Sequence, residues 1–158
     1  MLHQKKKILF VCTGNSCRSV MAEGLLLQGV KQKGRSDVQV LSAGTNTFPG
    51  MGPTLETIEV MKELGVDVSS HVSQQLTPDL VRSADAVFCM EDFHREQILA
   101  IHPEAESKVH LFRTFQKPAP LDNPNVPDPI GQPRHVYEAC RTVIQDGVHR
   151  IMEWLEKP

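Results

Sequence analysis

With 158 residues, 40% of them apolar and 23% charged, the chain has an ordinary globular composition. That length suits one domain over residues 1–158, burying roughly 70% of its unfolded surface. A net charge of −2 argues against wholesale capture of nucleic acid, and no apolar run approaches the ~20 residues of a membrane span.

Lys5-Lys6-Lys7, the longest basic run, reads as a solvated entrance to a buried strand over Lys7–Val11. The apolar stretch is too short for a signal-peptide core and no small-residue cleavage site follows, so a cytoplasmic protein with reduced thiols is expected. Val20, Met21, Leu25, Leu26 and Val30 recur at helical spacing over Ser19–Gln32. Val38–Leu41 forms a second strand, ended by Ser42-Ala43-Gly44. A loop with Pro49, Gly50, Gly52 and Pro53 leads to a helix over Leu55–Leu64, stopped by Gly65. Ala84–Met90 is a third strand, Asp92–Ile101 a helix bounded by Pro103, and Lys108–Phe112 a fourth strand. Tyr137–Leu155 closes the chain as an amphipathic helix with Ala139, Cys140, Val143, Ile144, Val148, Ile151 and Leu155 on its apolar side. The alternation predicts an α/β, doubly wound domain: a parallel sheet with helices on both faces.

One segment breaks the pattern. Gln116–Pro133 carries Pro118, Pro120, Pro124, Pro127, Pro129 and Pro133, together with Asp122 and Asp128. Loops this long inside one domain are usually functional or disordered, and the prolines stiffen this one.

Between the first strand and the first helix stands Cys12-Thr13-Gly14-Asn15-Ser16-Cys17-Arg18-Ser19. Ligands of open α/β sheets bind beyond the carboxyl ends of the strands, where Cys12 falls. A helix N-terminus offers unpaired N–H groups, Gly14 lets the backbone turn tightly, and Arg18 adds a planar fork suited to two phosphate oxygens. The same surroundings favour the thiolate of Cys12. Thr13 to Arg18 therefore reads as an anion cradle with a nucleophile at its base. It matches neither nucleotide-binding glycine pattern. A group leaving phosphorus needs a proton, and Asp128, fixed between Pro127 and Pro129, is the candidate donor and later base. Of the other cysteines, Cys89 reads as a buried strand end and Cys140 as core. No C-x-x-C pair or zinc spacing occurs, and the seven histidines are scattered singly as surface or core residues, so no metal is expected. Nor is an organic cofactor, since loop amides and Arg18 can stabilise the charge.

These residues resemble the low-molecular-weight protein tyrosine phosphatase family over essentially the whole chain. The resemblance rests on "VCTGNSCRS" (Val11–Ser19), "SAG" (Ser42–Gly44), "HVS" (His71–Ser73), "ADAVFCM" (Ala84–Met90) and "DP" (Asp128-Pro129). It implies a four-stranded parallel sheet and a two-step hydrolysis of phosphoproteins through a phosphocysteine on Cys12, with inorganic phosphate released. Arg18 would bind the phosphate and stabilise the transition state, and Asp128 would act as acid, then base. Thr13, Gly14, Asn15, Ser16, Cys17 and Ser19 would form the phosphate-binding loop, with Asn15, Ser19, Ser42 and His71 holding it and tuning the thiolate. Cys17 matches a cysteine able to form a protective disulfide with the nucleophile; a packing role is the alternative.

Some positions depart from the tyrosine-specific pattern. Ser16 stands where a bulky aliphatic residue is common, and Ile130 and Gly131 stand where aromatic residues follow the Asp-Pro. Ile130 would form part of the substrate rim, and Phe48 is either a second rim contact or a partly buried loop anchor. Phosphotyrosine is the leading substrate. Phosphoarginine is the alternative, since the small polar Thr13 and Ser16 resemble the arginine phosphatase branch. "CTGNSCRS" followed by "MAEG" also resembles thioredoxin-coupled arsenate reductases, but their relay needs a second cysteine after Cys89, and "EDFHREQILAIHP" has none. A phosphate-binding or redox-sensing module using Cys12 and Cys17 is a further alternative, which has no use for Asp128.

Overall fold

β1 (Lys6–Cys12) is the hub of the sheet because Ile8, Leu9, Phe10 and Val11 are all 0% exposed and must be covered on both faces. In the computed structural model, which describes residues 5–118 and 123–158, β1 lies between β2 (Val38–Gly44) and β3 (Ala86–Cys89). β4 (Val109–Leu111) pairs with β3, giving the all-parallel order β2-β1-β3-β4. Pro120 and Asp122 of the proline-rich stretch lie outside the described residues.

Side chains alternate along β1, so Ile8, Phe10 and Cys12 face one layer and Leu9 and Val11 the other. The first layer holds α1 (Arg18–Gln32), α2 (Leu55–Lys62) and α5 (Arg134–Glu156). The second holds α3 (Pro78–Ser83) and α4 (Asp92–Ile101). Right-handed crossovers explain the division. The chain steps from β1 to β2 in one direction and from β3 to β4 in the other, which sends α1 and α4 to opposite faces. The order reverses between β1 and β3, the crevice where such sheets bind ligands. No helix of the described residues is long and apolar enough to cross a membrane.

The expected elements are present, with shifted ends. β2 runs on through Ser42-Ala43-Gly44, because Cys12 and Gly44 remain partners in the ladder with β1. α2 ends at Lys62, and Gly65 turns the chain in the left-handed region at φ +74°. α5 starts at Arg134, immediately after Pro133. The third and fourth strands are shorter than expected, and a 310 turn over Pro103–Lys108 takes up the approach to β4. The expected sequence of elements omitted α3, whose signals were in plain view: Thr77 caps it by accepting the N–H of Leu80, and Pro78 occupies its first turn.

Candidate active site

The loop from Cys12 to Arg18 is folded so that the carbonyls of Cys12, Thr13, Asn15 and Ser16 are taken up by neighbouring segments. Thr45 donates to the carbonyl of Cys12, Asn46 to that of Thr13, and Thr54 to that of Ser16. The carbonyl of Asn15 accepts from both Ser73 Oγ and His71 Nε2, at 2.8 and 3.1 Å. Among the described residues, the N–H groups of Gly14 to Arg18 donate to no other group. Asn15 makes the inversion possible: its φ is +53°, a left-handed conformation that asparagine tolerates. Gly44 makes room for it. A Cβ there would overlap the carbonyl oxygen of Thr13 and the side chain of Thr47. α1 begins at Arg18 with no side-chain cap and no acidic residue in its first turn, so its N-terminal charge is directed at the cradle.

Hydrogen-bond polarity can be followed from the outside to Cys12. Gln74 donates its N–H to Asn15 Oδ1, which turns Asn15 Nδ2 toward Ser42 Oγ at 2.9 Å and Ser19 Oγ at 2.8 Å. Ser42 passes its own proton to Glu23 Oε1 at 2.8 Å, and His71 Nδ1 lies 3.4 Å from that same oxygen. Ser19 Oγ, having accepted from Asn15, lies 2.9 Å from Cys12 Sγ, and it is the donor to that sulfur whenever the sulfur is a thiolate. Asn15 and Ser19 are both 0% exposed. The structure therefore brings together all four residues expected to hold the loop. It shows the side chain of Asn15 engaged in that support, leaving its backbone N–H to the cradle.

Arg18 is 1% exposed. Its Nη1 is anchored to Glu91 Oε2 at 2.7 Å and to the carbonyl of Val126 at 2.8 Å, and Nη2 lies 3.6 Å from Asp128 Oδ2. Among the described residues its Nε is buried without a partner. Burial opposes the guanidinium charge, but Cys12, Glu91 and Asp128 outweigh it and hold the pKa above its ordinary value. One edge of the fork is thus fixed to the protein, and the Nε side remains for an anion.

Asp128 stands over this edge. Its side chain is 39% exposed, and its Oδ1 accepts the N–H of Ile130 at 3.1 Å, a local turn that fixes the carboxylate. Ile130 is 53% exposed and Phe48 is 81% exposed, so Phe48 is no buried anchor. Thr13, Gly14 and Ser16 are partly exposed, whereas Cys17 is buried with Sγ near Thr54 Oγ1 and Tyr137 Oη. All four cysteines are free thiols. Burial pushes Cys89 and Cys140 up to about 12, as befits interior thiols. A groove of about 620 Å³, lined by Leu27, Lys31, Arg35, Val38 and Val66, includes none of the cradle residues.

Sequence reasoning missed Glu23, Glu91, Ser73, Gln74 and His94. The last stands out: it is 0% exposed, with Nε2 2.8 Å from Thr13 Oγ1 and Nδ1 accepting the N–H of Glu91. The spacing Glu91-x-x-His94 after a strand was a legible signal, a capping box at the start of α4.

Comparisons with known proteins point to one family. Residues 7–158 match the family model described as low molecular weight phosphotyrosine protein phosphatase. A protein-arginine-phosphatase of Geobacillus stearothermophilus is 35% identical over 150 residues, covering 95% of this chain and 96% of that protein. A probable low molecular weight protein-tyrosine-phosphatase, EpsP of Ralstonia solanacearum, is 36% identical over 143 residues, covering 90% and 91%. A solved structure of the arginine phosphatase YwlE, a mutant with a phosphorylated active-site serine, superposes with a TM-score of 0.88 at 30% identity, covering 96% of each chain.

Proposed function

The chain belongs to the low molecular weight phosphotyrosine protein phosphatase family, and from that membership we propose that it hydrolyses phosphotyrosine in phosphoproteins through a phosphocysteine on Cys12. The observation that carries the reading is the cradle itself: a buried thiol 2.9 Å from the Ser19 hydroxyl, beneath N–H groups that take no acceptor among the described residues.

In the first step Cys12 Sγ attacks phosphorus and the bond to the leaving oxygen breaks, with Asp128 supplying the proton that oxygen needs. The three equatorial phosphoryl oxygens are held by loop N–H groups and by Arg18, whose Nε and Nη2 face them while Glu91 holds Nη1. In the second step Asp128, now a carboxylate, takes a proton from water. The oxygen of that water displaces Cys12 from phosphorus, releasing inorganic phosphate and the thiolate. Ser19 supports both steps, since it donates to sulfur whenever the sulfur carries charge. Phe48 and Ile130 offer exposed apolar surface to the phenol ring.

A second substrate, phosphoarginine, is favoured by the polar, partly exposed side chains of Thr13 and Ser16 and by the Geobacillus relative, named a protein-arginine-phosphatase. The arsenate relay is disfavoured: Cys89 is 0% exposed, its thiol is pushed up to about 12 by burial, and α4 supplies no second cysteine.

The test is kcat/KM on matched peptides carrying phosphotyrosine or phosphoarginine, with Cys12→Ser as the blank. Phosphotyrosine turnover above the blank is expected, and turnover of neither peptide sinks the phosphatase reading. The role of Asp128 has its own measurement. Asp128→Ala should slow aryl phosphates with poor leaving groups by about 10²–10⁴-fold, and those with good leaving groups far less. Equal loss across the series removes Asp128 as the proton donor.

A further inference from the structure

His94 performs none of these steps, yet it is fully buried and commits both ring nitrogens to the site. The N–H of Glu91 donates to Nδ1 at 3.0 Å, which leaves the imidazole proton on Nε2, 2.8 Å from Thr13 Oγ1. Burial, and then the nearby Arg18, hold its pKa at about 4, so the ring is neutral at neutral pH and has only that one N–H to give. Thr13 Oγ1 therefore accepts. Its own hydroxyl proton and its remaining lone pair have no partner among the described residues.

The first turn of α4 thus touches the cradle at both ends. The Glu91 carboxylate holds Arg18, and the Glu91 backbone orients the imidazole that holds Thr13. Thr13 follows the nucleophile directly and is partly exposed, whereas Cys12 and Arg18 are buried. Its hydroxyl is held by His94 on a partly exposed residue of the cradle loop.

We propose that His94 is a positioning residue: it locks the Thr13 hydroxyl at the wall of the cradle, biasing the enzyme toward leaving groups that hydrogen-bond over aryl rings. The inference rests on the phosphatase reading and deepens it. An aryl ring against this wall would desolvate the hydroxyl and give it no partner. A guanidinium supplies N–H donors to the spare lone pair, and a site built around a hydrogen bond discriminates against substrates that lack it.

The ratio of kcat/KM for matched phosphoarginine and phosphotyrosine peptides tests the assignment. Thr13→Val should move that ratio about tenfold toward phosphotyrosine, the scale of one hydrogen bond. His94→Leu should move it the same way by less. Thr13→Ser, which keeps the hydroxyl, and His94→Gln, which keeps an N–H donor, should leave that ratio near its wild-type value, whatever they do to the absolute rates. Since the two side chains act as a unit, the Thr13→Val/His94→Leu double variant should go no further than Thr13→Val alone. An unmoved ratio for Thr13→Val, or fully additive shifts in the double variant, would overturn the proposal. Should His94→Leu fail to fold, the Thr13 pair and His94→Gln still decide. Wild-type turnover of both peptides no better than Cys12→Ser overturns the phosphatase reading and this one together. An active enzyme with an unmoved ratio overturns only the role of His94.

Discussion

Ser19 and His94 show how much chemistry at this site depends on single protons. Ser19 accepts from Asn15 and lies 2.9 Å from Cys12 Sγ, so once the sulfur is a thiolate the Ser19 hydroxyl is the donor between them. Ser19→Ala removes that donor and leaves an amide of Asn15 short of one acceptor. A loss of about tenfold in kcat is expected, the scale of one hydrogen bond to a charged group. An unchanged kcat on an aryl phosphate would show that the thiolate does not draw on Ser19. His94 makes a prediction about stability. Burial holds its folded pKa at about 4 against an ordinary 6.5, so between those values the unfolded chain binds the extra proton and the folded chain does not. Stability is therefore fullest above pH 6.5 and declines as pH falls toward 4, by something on the order of 1–3 kcal/mol from this residue. Urea denaturation of wild type and His94→Gln at pH 7 and pH 5 measures it. The wild type should lose more on acidification, and parallel losses would remove His94 as the source.

Among the elements, α5 is the most exacting in its packing. Tyr137, Cys140, Ile144, Val148, Ile151 and Leu155 form its buried stripe, and Gly147 lies within that stripe. A Cβ at Gly147 would overlap the ring of Phe112, which is itself 0% exposed and adjoins the end of β4. Two effects compete in Gly147→Ala. Helix propensity favours alanine by about 1 kcal/mol, while overpacking a closed core costs about 1–3 kcal/mol. The clash is with a fixed aromatic ring, so overpacking should win and the denaturation midpoint should fall. A raised midpoint would mean that Phe112 can move aside. The opposite contrast appears at the start of α1, where nothing caps the helix. Cys17 makes no capping bond and no acidic residue follows, leaving the N-terminus to the anion.

Taken as a whole, the molecule is a sheet whose two faces have different tasks. The face under α1, α2 and α5 carries the larger core, including Phe10, Phe88 and Phe112, with Phe88 packed edge-on against Phe115 and Trp154. Phe88→Ala should cost about 3–5 kcal/mol by cavity formation, read as a lower urea midpoint at unchanged slope. A loss below 1 kcal/mol would show that the aromatic cluster collapses to fill the space. The other face brings α4 against β3 and β4, and the start of that helix supplies Glu91 and His94 to the crevice where the strand order reverses. The same topology that solves the burial problem thus places groups from after β3 beside the loop after β1.

How much of this the sequence held by itself follows from the range of each interaction. The Cys12–Arg18 loop was legible because strand, loop and helix are contiguous and the chemistry is compressed into adjacent residues. Asp128 drew notice because prolines flank it on both sides, and the structure sets its carboxylate 3.6 Å from Arg18. The alternating elements were legible because burial repeats with the period of each, while α3 escaped because a helix of six residues is too short to show a period. Glu91, His94, Glu23 and Gln74 could not be assigned in the same way. Each acts on a residue 19 to 81 positions distant, and its partner depends on strand order, on the outward turn of Asn15 and on the direction of a proton. Local spacing determined the loop that joins Cys12 to Arg18, because neighbours in sequence are forced to be neighbours in space. Only the tertiary structure decided what braces the cradle, because contacts across a parallel sheet are made by topology.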